Sequence, residues 1–352
     1  MNASSLSYKE TKVLELLNKN KADGFIFIST YNRFWITGVN TTFGYAIVIK
    51  NNVYYLIDAR DYECCKSQLK NIKCVLYKTP SDLNKLIKQL KIKTLMFERD
   101  YISYIDFNDV LKPLKIKLIP ADTMILRAQK TKEEIAFIKK SMDIAVRAID
   151  FIKKTIKPGM TELMVKQALT VKMIAEGATA TSFDLIVAFG ENTANPHHQS
   201  TNRILKKNEF ITCDIGCIYK GYCSDITRTF WLGKPSKKML EMYNLVLQAN
   251  KKGIAAAKVG ILGSKLDAVC RDHISANKKY ANLFVHGTGH GVGIEIHELP
   301  NVKPTYHQPI LDNSIITIEP GIYEPGFGGV RIEDSILVTK KGVEVLTAKA
   351  TK

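Results

Sequence analysis

Asp214-Ile215-Gly216-Cys217-Ile218-Tyr219-Lys220-Gly221-Tyr222-Cys223-Ser224-Asp225 is the stretch on which the reading of this chain turns. Phe210-Ile211-Thr212-Cys213 precedes it, and Ile226-Thr227-Arg228-Thr229-Phe230 follows. Both flanks are rich in β-branched and aromatic residues, which suit a pleated, half-buried surface, so two strands are predicted. Tyr219-Lys220-Gly221 supplies the turn. With Tyr219 and Lys220 as a two-residue turn, Asp214 and Asp225 become a directly opposed cross-strand pair, side chains about 5 Å apart on one face. Two like charges so placed are destabilising unless a proton, an arginine or a metal lies between them. One bulge would break the pairing.

Four more polar segments follow. In His286-Gly287-Thr288-Gly289-His290-Gly291-Val292-Gly293 the interleaved glycines make a helix costly. An extended or looped segment is predicted, where the backbone approaches something closely. Then come Glu295-Ile296-His297-Glu298, Thr317-Ile318-Glu319-Pro320-Gly321 and Val330-Arg331-Ile332-Glu333-Asp334. In a strand, Ile316 and Ile318 face one way and Thr317 and Glu319 the other, while Arg331 and Glu333 share the face opposite Ile332. Tyr323 to Gly329 reads as a run of turn residues. Taken alone, a strand carboxylate is ordinarily solvated, and His197 or His286 is ordinarily a hydrogen-bonded loop histidine. Jointly, Asp214, Asp225, Glu319 and Glu333 sit in or beside apolar segments, where an unpaired charge is expensive. With a histidine they make a hard, oxygen-rich ligand set that suits Mn²⁺, Co²⁺ or Zn²⁺ in a two-metal site. Four carboxylates also balance two divalent cations.

Composition bounds the alternatives. The chain has 352 residues and an apolar fraction of 45%, enough for two folded domains. A net charge of +17, from 51 Lys plus Arg against 34 Asp plus Glu, raises the question of a nucleic-acid partner. The lysines are scattered, with no basic block and no recognised motif, so a lysine-rich surface is expected and no specific nucleic acid. Seven cysteines, at 64, 65, 74, 213, 217, 223 and 270, argue against a disulfide framework. Cys213, Cys217 and Cys223 crowd the hairpin and suggest a thiolate zinc site, but no CxxC pair exists, so reduced, buried thiols are expected. No apolar run approaches the roughly 18 residues of a membrane span, and the N-terminus lacks a signal-peptide pattern. Both point to the cytoplasm and to no membrane partner.

Residues 1–122 read as a small α/β layer domain with a mixed sheet. Helices are predicted at Ser7–Lys19, Asp61–Leu69 and Ser81–Leu90. Strands are predicted at Gly24–Ile28, Tyr45–Lys50, Val53–Ile57, Lys73–Tyr77, Thr94–Phe97 and Lys115–Ile119, with Asn51-Asn52 as a hairpin turn. Tyr31 to Gly38 places Trp35 and Arg33 near a loop, with core packing the plain reading of Trp35. No phosphate-cradling glycine loop appears. Beyond residue 122, helices are predicted at Thr131–Ile156, from Thr161 to Glu176, at Ser236–Val259 and at Ser264–Ala276, with a strand at Phe183–Phe189 and a loop from Gly190 to His198.

Taken in order, DIG, GYCSDITRT, HGTGH, IEPG and VRIED resemble the pita-bread metallopeptidases. Within them the chain resembles the proline-specific branch, the Xaa-Pro aminopeptidases and prolidases. The likeness covers about residues 125–352, and the preceding part resembles that branch's creatinase-like domain. It implies an α/β (α+β) chain of two domains: residues 1–122, creatinase-like, and residues 123–352, a curved antiparallel sheet backed by helices. It also implies Asp225 and Glu333 as carboxylates bridging two divalent metal ions, Mn²⁺ foremost with Co²⁺ or Zn²⁺ acceptable. Asp214 would serve one ion, and His290 and Glu319 the other, activating a water between them. Glu319 would also carry the water's proton. His197 and His297 would meet the substrate amide and oxyanion, and Arg331 would orient Glu333. His286 and Arg331 favour this branch over methionine aminopeptidases, which lack both. A non-catalytic binding module would lose ligands, and here all five positions are filled. A homodimer is implied, with the Tyr31 to Gly38 region near the partner's site, and a substrate with proline at its second position. Whether dipeptides or longer peptides are cut stays open.

Overall fold

The computed structural model describes residues 3–50 and 52–352. It forms two compact units, one ending at Arg127 and the other beginning at Ala128.

The first unit is built on a six-stranded mixed sheet. Its strand Gly24–Phe27 is buried along its whole length. It pairs antiparallel with Tyr45–Ile49 and parallel with Thr94–Glu98. Asn52–Ile57 and Lys73–Leu76 extend one side, and Lys117–Ala121 the other. The predicted Asn51-Asn52 turn falls partly on Asn51, which lies outside the described residues; Asn52 pairs with Ile49. The loop expected around Tyr31 is instead a helix, Thr30–Thr37. The Ser29 hydroxyl accepts from the Asn32 amide at 3.2 Å, and Gly38, at φ 78°, closes the helix with its N–H on the Phe34 carbonyl. Trp35 is 1% exposed and packs edge-on to Phe27. Its side chain belongs to this unit's core.

In the second unit every strand pairing is antiparallel among the described residues. Helix Lys132–Thr155 begins at a capping box between Thr131 and Glu134, as the sequence predicts. It packs with helix Glu162–Ala175 over the strands Ile186–Phe189, Phe210–Ile215 and Ile226–Trp231. Helices Lys237–Ala256 and Gly263–Ser275 do the same for a five-stranded sheet that contains Gly289–Gly291, Ser314–Ile318 and Asp334–Thr339. Alternation then aims the polar residues. Ile211, Cys213 and Ile215 join the first core, which turns Thr212 and Asp214 to the opposite face. Ile316, Ile318, Val330 and Ile332 join the second, which does the same for Thr317, Glu319, Arg331 and Glu333.

The hairpin register differs from the expected one. The turn residues are Lys220 and Gly221, both at positive φ (48° and 82°), between paired Tyr219 and Tyr222. A two-residue turn with φ > 0 at both positions wants glycine second, so Gly221 belongs inside the turn rather than after it. Asp214 therefore faces Thr227, not Asp225. The ladder also breaks at Gly216, where a Cβ would lie 1.9 Å from the Ser224 carbonyl oxygen and 2.2 Å from the Ser182 hydroxyl. Asp225 sits in that break, just before the strand Ile226–Trp231.

Candidate active site

Five side chains converge where these strands meet. Asp214 stands on strand Phe210–Ile215, and Asp225 enters from the break. His290 is the centre of strand Gly289–Gly291. Glu319 follows Ser314–Ile318, and Glu333 precedes Asp334–Thr339. Close packing of the glycine-rich segment is what brings His290 in. A Cβ on Gly289 would lie 2.0 Å from the Thr317 carbonyl oxygen, so only glycine lets that strand lie against its neighbour. One ligand atom each from Asp225, His290 and Glu333 lies within 4.8 Å of the others. His290 Nε2 is 3.5 Å from Asp225 Oδ2 and 3.4 Å from Glu319 Oε1.

The electrostatics of this cluster call for a cation. Asp225 is 5% exposed and Glu333 1%. Burial first, then Glu333, Asp214 and Glu319, push the Asp225 carboxyl far above the usual carboxylate range. Burial, Glu319 and Asp214 do the same to Glu333. Burial raises Glu319 to about 8, against the pull of Arg331. Burial and then neighbouring His297 hold His290 neutral, its pKa pushed down to about 3. His290 Nδ1 lies 3.0 Å from the Gly291 carbonyl, to which it donates, so Nε2 carries a bare lone pair. Glu333 Oε1 and Asp214 Oδ1 are buried without a hydrogen-bond partner. A bare imidazole nitrogen thus stands beside the Asp225 and Glu319 carboxyls, in a cluster where two further buried carboxylate oxygens lack a donor. That donor set fits divalent metal, and it is poor in thiolate: Cys213, Cys217 and Cys223 are buried, unpaired thiols pushed up by desolvation. Of the seven free cysteines only Cys64 is exposed.

Arg331 is placed differently from the sequence reading. Its guanidinium donates to Asp214 Oδ2 at 2.6 Å, to the Tyr323 hydroxyl at 2.8 Å and to Thr227 Oγ1 at 3.2 Å. It orients Asp214 directly and reaches Glu333 only through Thr227, whose hydroxyl donates to Glu333 Oε2 at 2.8 Å. Tyr323 is a residue the sequence reading missed, having placed it in a run of turns. It lies on strand Gly321–Glu324, and burial pushes its pKa up to about 12. Since Arg331 donates to its oxygen, its own proton is free for His286 Nε2, 2.7 Å away. His286 Nδ1 lies 2.7 Å from the Gly287 carbonyl. Burial, with Arg331 next, brings the His286 pKa down to about 4. Both ring nitrogens of His286 are therefore engaged, and it acts on Asp214 through Tyr323 and Arg331. Replacing Arg331 with Met should destabilise the protein by about 3 kcal/mol, because it strips a largely buried carboxylate of its paired cation; urea unfolding measures this.

His197 and His297 line the same space. A cavity of about 470 Å³ is lined by both, by His286, Pro196, Ile296, Asn301 and Lys303, and by the five converging residues. The His297 ring lies edge-on to His290, centroids 4.3 Å apart. The nine residues given a metal-binding or catalytic part by the resemblance, Arg331 and His286 included, thus line one cavity.

Comparison with known proteins decides the family. Metallopeptidase family M24 matches residues 136–340, and the Creatinase/Prolidase N-terminal domain matches residues 11–129. The chain belongs to metallopeptidase family M24. This metallopeptidase is 41% identical to a Mycoplasma pneumoniae protein provisionally named Xaa-Pro aminopeptidase, over 98% of each chain. The solved Xaa-Pro dipeptidase from Bacillus anthracis superposes on it with a TM-score of 0.93 at 36% identity, covering 97% of each chain. The X-Pro aminopeptidase from Thermotoga maritima MSB8 does so at 0.87 and 31%, covering 93% of this metallopeptidase and 96% of that chain. The pita-bread architecture expected from the sequence is the one found, and metal dependence comes with the family. No helix among the described residues of this metallopeptidase is long and apolar enough to cross a membrane.

Proposed function

We propose that the protein is a dinuclear metallopeptidase that hydrolyses the bond between an N-terminal residue and a penultimate proline. The observation that carries this reading is the convergence of four carboxylates and a neutral His290 on a cavity that His197 and His297 also line. The names of its relatives support the proline preference. Asp225 and Glu333 would hold both cations, Asp214 one of them, and His290 and Glu319 the other. Two Mn²⁺ ions, or Co²⁺ or Zn²⁺ on the same ligands, would make a water acidic and polarise the scissile carbonyl. Glu319, at the margin of the cluster, would take that water's proton and pass it to the leaving nitrogen of proline. His197 and His297 would donate to the amide and to the oxyanion that develops. Arg331 and Tyr323 would keep Asp214 in place throughout. A cytoplasmic site, supported by seven unpaired cysteines, and a homodimer belong to the same reading.

Turnover of Ala-Pro and Ala-Pro-Ala after EDTA treatment, with and without restored Mn²⁺, tests this. Activity lost to EDTA and regained with Mn²⁺ is expected. No cleavage of either peptide by the metal-loaded protein would overturn the reading and send the search to methionyl peptides or to a binding role. The dipeptidase reading has one observation of its own. Lys303 and Asn301 line the cavity, and Lys303 has no side-chain ion pair among the described residues. A free carboxylate close behind proline would suit it. If so, Lys303→Met raises KM for Ala-Pro about tenfold, the scale of one charge-assisted contact, and leaves Ala-Pro-Ala unaffected.

A further inference from the structure

His197 owns little of the structure that places it. It is exposed, and its backbone N–H bonds only the side chain of Asn195, two residues back. Its position has to come from the segment around it, and that segment ends on one buried carboxylate. Glu162 is fully buried in the first turn of helix Glu162–Ala175. Its Oε1 accepts from the Phe189 amide at 2.8 Å and from Asn192 Nδ2 at 2.9 Å. Its Oε2 accepts from the Thr201 amide at 2.8 Å and the Thr201 hydroxyl at 2.7 Å, and lies 2.8 Å from His198 Nε2. Burial alone would raise its pKa, but the bonds from His198, Asn192 and Thr201 outweigh that and lower it. The same helix end offers its unpaired amides to the segment, Glu162 N to the Arg203 carbonyl and Leu163 N to the Thr201 carbonyl. Donors at 189 and 192 lie before His197, and donors at 198 and 201 lie after it.

We propose that Glu162 is a positioning residue for His197, clamping both ends of the 189–201 segment to one helix terminus so that His197 stays in the cavity wall. The energetics favour a carboxylate here over any neutral group. Five donors meet two oxygens that offer about four lone-pair sites, and the donors of Phe189, Asn192 and His198 would be left buried or half-buried without it. Glutamine at this position keeps the shape but turns an NH₂ group toward two or three of the donors, according to which way its amide is flipped. The clamp then opens on at least one side. The proposal rests on the peptidase reading, since that reading gives His197 its task.

The test pairs turnover with a measurement that needs no turnover. Glu162→Gln should lower kcat/KM for the cleaved Xaa-Pro peptide on the order of 10- to 100-fold, as small misplacements of a reacting group do. His197→Ala should do the same, and the double variant should be no worse than His197→Ala alone. Losses that multiply in the double variant would mean that Glu162 acts elsewhere, and would overturn the proposal. Hydrogen exchange is read in parallel on Glu162→Gln. Protection should fall across 189–201 and hold in the strands Ser314–Ile318 and Asp334–Thr339. Unchanged exchange at 189–201 would overturn the clamp even if the wild-type protein cleaves no peptide tried. Should Glu162→Gln fail to fold, Thr201→Val removes one donor only and takes both measurements, with a smaller loss expected in each.

Discussion

Replacing Asp225 by Asn is expected to lower kcat/KM by at least about 10³-fold, the order reached when one essential charged group is removed, while making the metal-free protein more stable. The two effects have one origin. Asp225 is almost fully buried beside Glu333, Asp214 and Glu319, and its carboxyl is held far above its ordinary pKa. Without a cation, keeping it there costs free energy, and the isosteric amide removes that cost. With a cation, the same carboxylate is a ligand the amide cannot replace. Calorimetry should show a higher Tm for the EDTA-treated variant than for the EDTA-treated wild type, and no further rise with Mn²⁺. A variant that keeps its turnover, or that Mn²⁺ still stabilises like the wild type, would remove Asp225 from the metal site.

The second large effect is on the pH dependence of stability. Asp225, Glu333 and Glu319, the last at about 8, all have folded-state pKa values above those of unfolded carboxylates. In metal-free protein the folded chain keeps protons that the unfolded chain has released, so stability falls as pH rises through these values. His286 and His290 work the other way. Their folded pKa values, about 4 and about 3, lie below the ordinary histidine value, so their stability cost appears only as pH drops below about 6.5. The clean window is therefore about pH 6.5 to 8. There the Tm of EDTA-treated protein should fall with pH, at about 1.4 kcal/mol per pH unit for each proton that the folded chain alone retains. Cations bind the deprotonated ligands, so added Mn²⁺ should widen the gap between loaded and stripped protein across that window. A stripped protein whose Tm is flat or rising between pH 6.5 and 8 would contradict the charge crowding described here.

What the sequence made legible was alternation. Ile316 and Ile318 against Thr317 and Glu319, and Ile332 against Arg331 and Glu333, are period-two patterns with one physical reading, and the structure follows them. Register was less legible. The turn at Lys220-Gly221 and the break at Gly216 shift Asp225 away from Asp214, and only the preference of such turns for glycine in the second position could have located the first of these. The helix Thr30–Thr37 was hidden by its aromatic and β-branched content, although Ser29 and Gly38 stand where a cap and a stop belong. Tyr323 was invisible for another reason. Its importance lies in bonds to His286 and Arg331, eight or more residues away along the chain, and no local pattern encodes these. Glu162 is similar: a first-turn glutamate reads as a helix signal, and its five donors, on four residues, lie 27 to 39 residues downstream.

Behind the cluster, buried Arg228 donates to the backbone carbonyls of Thr227 and Glu333, pairs with Asp334 at 2.9 Å, and reaches the carbonyls of Thr347 and Ala350 at 3.3 and 3.1 Å. Those last two acceptors lie 119 and 122 residues further along the chain. During synthesis Arg228 leaves the ribosome long before they exist, and a buried guanidinium short of acceptors is costly. The backbone that carries Glu333 is thus fully braced only after Ala350 has been made. A nascent chain that has already produced every residue from Asp214 to Glu333 still lacks part of what holds the centre together, so its full bracing waits on the segment that carries Thr347 and Ala350.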